Sequence, residues 1–170
     1  MNDGDLDSRL AGIELVIFDV DGVLTDGTVW VDTEGRESVR FNIQDGYGVF
    51  RGYRAGLRYA IISGRQCEAV EHRASALKIT QVYQGQSLKQ EAFEEVLAES
   101  GLTAERIAYV GDDLNDLPVM KQVGIACAVA NARAEVKQAA DIVTEARGGE
   151  GAVRELLERI IEAKGGVSYP

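Results

Sequence analysis

Two aspartates, Asp19 and Asp21, follow the apolar run Leu15, Val16, Ile17, Phe18 and precede Gly22. A short β-branched run ended by glycine reads as a buried parallel strand. The end of such a strand is where an open α/β sheet forms its ligand crevice. On a continuing strand the two carboxylates would point to opposite sides, but a turn at Gly22 lets both face one pocket. Crowded acids repel unless a cation or a proton lies between them. The pair therefore suits a divalent metal, with one acid as nucleophile and the other as proton donor. Taken alone, such a pair is equally a solvated turn. Three more segments repeat the format. Gly111-Asp112-Asp113-Leu114-Asn115-Asp116 follows a second apolar run at 107–110, Ile61-Ile62 ends in Ser63 and Gly64, and Lys89 lies just inside a helical pattern that begins near Ser87.

These residues need strands that end together and helices that cross between them, and the chain alternates accordingly. Strand patterns fall at 15–18, 57–62, 82–83, 107–110, 125–129 and 141–143. Helical patterns fall at 47–55, 66–77, 87–99, 114–122, 133–138 and 151–163. This predicts an α/β fold with a doubly wound parallel sheet. Segments 28–32 and 37–41, separated by Glu34-Gly35, read as a protruding β-hairpin. Asp45 is the expected N-cap of the helix that follows. Residues 11–164 form a single expected domain, with loose tails at 1–10 and 165–170.

At 170 residues and 45% hydrophobic content the chain can bury a core without disulfides or metal staples. A formal charge of −10 with no basic cluster argues against a nucleic-acid surface. The polar, acidic start is neither a signal peptide nor an anchor, and no run reaches membrane-spanning length. Cys67 and Cys127 are far apart and read as small apolar residues of a reducing compartment. The expectation is a cytoplasmic, soluble protein. His72, the only histidine, sits among charged residues on a helix and reads as a surface residue.

Acid pair, hydroxyl, lysine and second acid cluster, in that order, resemble the four motifs of the haloacid-dehalogenase-like (HAD) superfamily of phosphotransferases. The resemblance runs from about Ile13 to Val143. It implies a Rossmann-like HAD fold in which Asp19 attacks phosphorus to give an aspartyl phosphate, and Asp21 handles the leaving-group and water protons. Mg²⁺ would be held by the Asp19 carboxylate, the Asp21 carbonyl and Asp112, an all-oxygen set that suits this hard cation. Ser63 and Lys89 would contact the phosphoryl oxygens, while Asp113 and Asp116 would orient metal-bound water or Lys89. Members acting on small substrates commonly carry a cap domain. Neither 28–41 nor 63–89 has room for one, so the site is open unless another subunit completes it. The hairpin is the expected contact of a homotetramer.

Within the superfamily, FDVDGVLTDG at 18–27, FNIQDGYG at 41–48, ISGR at 62–65, YQGQSLK at 83–89, AYVGDDLND at 108–116 and GGEGAVRE at 148–155 are similar to the capless 3-deoxy-D-manno-octulosonate 8-phosphate (Kdo 8-phosphate) phosphatases. That resemblance implies a phosphorylated sugar acid as substrate. Asn42, Ile43, Gln44, Asp45, Gly46 and Gly64 would line its pocket, and Arg65 and Arg73 would contact the acid. Many relatives have an arginine where this chain has Phe50. Arg51 beside it points about 100° away on a helix, which leaves a nine-carbon, sialic-acid-type 9-phosphate as an alternative substrate. A non-catalytic oligomerisation module is the alternative of another class. It would need none of Asp19, Asp21, Ser63, Lys89 or Asp112.

Overall fold

The structure is a computed structural model and describes residues 3–166. Six parallel strands form one sheet in the order β5-β4-β1-β6-β7-β8. They are β1 (Leu15–Phe18), β4 (Arg58–Ile62), β5 (Gln81–Tyr83), β6 (Ile107–Gly111), β7 (Ile125–Ala128) and β8 (Ile142–Val143). From β1 the chain builds outward through β4 and β5, then returns to lay β6 on the other side of β1. Connections leave β1 and β6 in opposite directions, so a crevice opens at their carboxyl ends. All four residues of β1 and all five of β6 are buried, which is why these strands read as continuous apolar runs rather than alternating ones.

Helices α2 (Ile43–Arg54), α3 (Glu68–Ala76), α4 (Lys89–Ser100), α5 (Leu117–Met120), α6 (Ala134–Ala139) and α7 (Ala152–Ala163) connect or follow the strands. In α7 the residues Val153, Leu156, Leu157, Ile160 and Ile161 are buried at helical spacing. This helix packs along α2. No helix among the described residues is long and apolar enough to cross a membrane.

Four expectations change. Residues of the supposed 1–10 tail form helix α1 (Asp3–Gly12), which Leu10 anchors in the core. The Arg9 guanidinium also binds Asp141 at 2.8 Å and the Gly124 carbonyl. These long-range contacts leave no local signature. At the other end, Gly165 and Gly166 donate to the last carbonyls of α7, while 167–170 lie outside the described residues. Helix α2 starts at Ile43, not 47, because Asn42 caps it by accepting from the Gln44 N–H at 2.7 Å. Asp45 instead turns inward, and its carboxylate accepts from the Arg154 N–H at the start of α7 (2.9 Å). The segment expected to be a helix at 114–122 splits into a tight turn at Leu114–Asp116 and then α5.

The hairpin is present but short, with β2 (Trp30–Val31) antiparallel to β3 (Glu37–Ser38). Val39 and Phe41 pack against the chain's own core, so they are not part of an unpartnered face. Trp30 and Val31 remain 69% and 64% exposed. Between β1 and α2 lie only a wide turn at Val20–Leu24 and this hairpin, and no cap domain is inserted.

Candidate active site

Backbone geometry at the end of β1 places the acid pair. Asp19 is still tied to the sheet, its N–H donating to the Val110 carbonyl at 3.0 Å. The chain then makes a wide turn closed by the Thr25 N–H on the Val20 carbonyl (3.0 Å), with Gly22 at φ +90°. Thr25 is fully buried and its hydroxyl accepts from the N–H groups of Gly22 and Gly27. A Cβ at Gly22 would lie 2.1 Å from Asp112 Oδ2, so only glycine lets the second acid cluster close on this turn. Asn131 reinforces it from α6's side of the fold, donating to the Gly22 carbonyl (3.0 Å) and accepting from the Gly148 N–H (2.6 Å).

Below the turn lies a buried ionic chain. Lys89 Nζ sits 2.7 Å from Asp19 Oδ1 and 2.6 Å from Asp116 Oδ1. Tyr109 Oη donates to the same Asp116 oxygen at 2.7 Å. The other oxygen, Oδ2, accepts from the backbone N–H groups of Asp112 and Asp113 at 2.9 and 3.1 Å. Asp116 thus has both oxygens committed. It orients Lys89 and the turn that carries Asp112. Burial opposes the Lys89 ammonium, but Asp19 and Asp116 outweigh it and raise its pKa. Burial likewise raises Tyr109, which keeps its proton to donate.

One oxygen each from Asp19, Asp112 and Asp116 fall within 4.8 Å of one another. With Asp116 committed, Asp19 and Asp112 are the carboxylates left to hold a cation. Burial first, and then the charges of Asp19, Asp116 and Asp113, push Asp112 up to about 8. Burial pushes Asp19 to about 6, although Lys89 opposes the rise. Two desolvated carboxylates that resist ionisation together fit a divalent cation, which removes both penalties at once. An all-oxygen set fits Mg²⁺.

Above this floor opens a cavity of about 570 Å³ lined by Asp19, Asp21, Gly64, Arg65, Asp112, Asp113 and Asn115, with Gly27 at its edge. Ser63 is buried at the end of β4, its N–H held by the Tyr83 carbonyl at 2.8 Å. Arg65 grips Asp21 through Nε (2.9 Å) and Nη2 (3.1 Å) and pairs with Glu37 through Nη1. The hydrogen bonds to Asp21 raise the Arg65 pKa still further.

The other expected pocket residues are not brought to this cavity within one chain. Asn42, Ile43 and Gln44 line a separate groove with Arg40, Phe41 and Gly149. Asp45 is buried under α7, and Gly46 lines an apolar groove with Phe50 and Tyr53. Arg73 donates to the Asn42 carbonyl (2.8 Å) and lies 5.7 Å from the Phe41 ring centre. Phe50 is exposed, whereas Arg51 is buried and paired with Glu158. Sequence reading missed Tyr109, Glu37, Asn115 and Asn131. Tyr109 was legible only as one more apolar strand residue, and Glu37 only as one more hairpin charge. Tyr109 and Asn115 lay inside a recognised block, AYVGDDLND, whereas Glu37 and Asn131 did not.

Strand-end carboxylates and a buried lysine gathered at one crevice of a parallel sheet have the chemistry of a hydrolase that acts on phosphate esters. The family description "haloacid dehalogenase-like hydrolase" matches residues 74–156. The 3-deoxy-D-manno-octulosonate 8-phosphate phosphatase KdsC of Escherichia coli K12 is 44% identical over 161 residues, covering 95% of this chain and 86% of that protein. The crystal structure of the Yersinia pestis phosphatase of the same name superposes with a TM-score of 0.93 at 45% identity, over 95% of this chain and 87% of that one. A Moraxella catarrhalis phosphatase of that name, solved with a magnesium ion, a phosphate ion and KDO, gives 0.93 at 35% identity, over 96% and 94%. The chain belongs to the haloacid dehalogenase-like hydrolases, in the family of the Kdo 8-phosphate phosphatases, and it is a phosphatase.

Proposed function

We propose that this chain hydrolyses 3-deoxy-D-manno-octulosonate 8-phosphate to the free sugar acid and phosphate. The observation that carries the reading is the Asp19 carboxylate at the cavity floor, held by Lys89 and flanked by Asp112, with Asp21 opening on the same cavity. Asp19 attacks phosphorus and becomes a transient aspartyl phosphate. Asp21, with one oxygen let go by Arg65 and protonated, gives that proton to the departing alkoxide and then takes one from the water that cleaves the acyl phosphate. Lys89, fixed by Asp116, and Ser63 face the phosphoryl oxygens where charge spreads in the transition state. Bound Mg²⁺, held by Asp19, Asp112 and the Asp21 carbonyl, screens the repulsion between an anionic nucleophile and an anionic ester.

Arg65 is the guanidinium on the cavity wall suited to a sugar carboxylate. Four chains assemble through their hairpins, which Trp30 and Val31 equip with exposed apolar surface. In that assembly Asn42, Ile43, Gln44 and Arg73 serve a neighbour's cavity, since they do not reach their own, whereas Asp45 stays buried under α7. The enzyme works in the cytoplasm on a sugar destined for lipopolysaccharide.

The test is phosphate release with Mg²⁺ from Kdo 8-phosphate, a nine-carbon sugar acid 9-phosphate and simple sugar phosphates, with Asp19→Asn as blank. Strong preference for the eight-carbon ester is expected, and a loss of about four orders of magnitude or more in the variant. Preference for the nine-carbon ester overturns the substrate, and turnover by Asp19→Asn overturns the nucleophile.

A further inference from the structure

Arg65 has its guanidinium divided between two carboxylates that hold it differently. Asp21 takes the Nε–Nη2 edge with both oxygens, at 2.9 and 3.1 Å. Glu37 takes only Nη1. Its side chain is 43% exposed, against 31% for Asp21. Asp21 is set by the wide turn at the end of β1, whereas Glu37 rides on a two-residue strand paired to another of equal length. A single-pronged, half-exposed ion pair on a short ribbon is the weaker of the two. The guanidinium side that Glu37 occupies is also the side left for an incoming anion, because Asp21 closes the other.

We propose that Glu37 is a specificity-determining residue that competes with the substrate carboxylate for Nη1 of Arg65. The proposal rests on the reading above, that the sugar acid's carboxylate reaches Arg65. When a sugar-acid phosphate binds, its carboxylate replaces that of Glu37 with no change in the kind of bond, and the tie between β3 and the cavity wall is released. A phosphate ester without a carboxylate leaves Glu37 in place. Glu37 therefore weakens the binding of carboxylate-bearing substrates and has no such effect on the others.

The experiment is steady-state kinetics on Kdo 8-phosphate and on p-nitrophenyl phosphate, which has no carboxylate. The proteins are wild type, Glu37→Gln, Arg65→Ala and the double variant, all with Mg²⁺. Glu37→Gln should lower KM for Kdo 8-phosphate several-fold relative to KM for p-nitrophenyl phosphate, the effect appearing in KM rather than kcat. That gain should vanish in the double variant, because both changes act through one guanidinium. A KM ratio that stays level or rises in Glu37→Gln overturns the proposal, as does a full gain that persists without Arg65. Arg65→Ala tests the underlying reading separately. A loss confined to the sugar acid sustains it, whereas equal losses on both substrates remove it and the proposal with it.

Discussion

The floor of the cavity and its rim hold charge in opposite ways. On the floor, Lys89 and Asp116 are buried to 2% and 0% exposure, and Asp116 receives four hydrogen bonds from Lys89, Tyr109 and two backbone amides. On the rim, Arg65 and Glu37 are a third or more exposed and meet across a hairpin of two-residue strands. Buried charge persists only when every lone pair and proton is matched, so the floor is over-determined. Rim charges keep water as an alternative partner and can exchange one carboxylate for another at little cost. The difference suits the work of each. In the proposed mechanism the floor carries a nucleophile that must be fixed before the substrate arrives, while the rim residues that would read the rest of the substrate must be able to let go.

Breaking the floor should have the largest effect. Asp116→Ala leaves Lys89, the Tyr109 hydroxyl and two N–H groups without their acceptor, and removing one member of a buried ionic network costs about 3–5 kcal/mol. Urea unfolding should show that loss, while Glu37→Gln on the rim stays within about 0.5 kcal/mol of wild type. Similar small losses in both variants would erase the contrast.

The next effect is set by pH. Asp112 ordinarily titrates at 3.8 but is held up to about 8 in the fold, and Asp19 to about 6. In both, the folded form binds its proton more tightly than the unfolded chain. Unfolding in the window between about 4 and 8 therefore releases protons, and without metal stability falls as pH rises through it. Mg²⁺ binds the deprotonated carboxylates, so the rise in Tm that it produces should grow between pH 6 and 8 by a few degrees. Thermal melts in EDTA and in Mg²⁺ across that range provide the check, with Asp112→Asn expected to flatten the trend. A metal-induced shift independent of pH would show that these acids are not the ones bound.

The smallest effect on the fold belongs to the hairpin tip. Val31→Asp should leave the circular dichroism spectrum intact, since Val31 touches little of its own domain. In light scattering, the same change should give the 18.4 kDa of one chain in place of the proposed tetramer. An unchanged oligomer would place the contact elsewhere, the exposed Ile43, Tyr47 and Phe50 on α2 being the next surface to test.

Much of the floor was legible because β1, β4 and β6 are short apolar runs whose ends are marked by acids, a hydroxyl and glycines. Such local patterns specify strands and where they stop. Helix α1 was missed because its anchors, Leu10 in the core and Arg9 on Asp141, depend on residues far away in the chain. The start of α2 was misplaced because Asn42 and Asp45 are both good caps by type. The choice fell to Asn42 once Asp45 was needed at the first turn of α7.

By itself, then, the sequence determined the parallel sheet and the acids at the strand ends, since these follow from hydrophobic period and from residue types in short segments. The absence of a cap followed from the resemblance and the short intervals between its motifs. Only the tertiary structure decided what each charge does. Lys89 and Asp116 are separated by 27 positions, Arg65 and Asp21 by 44, and Arg65 and Glu37 by 28. No local rule pairs such residues. Their partners are chosen by the order of the strands in the sheet, because that order fixes which chain segments share its low-dielectric end.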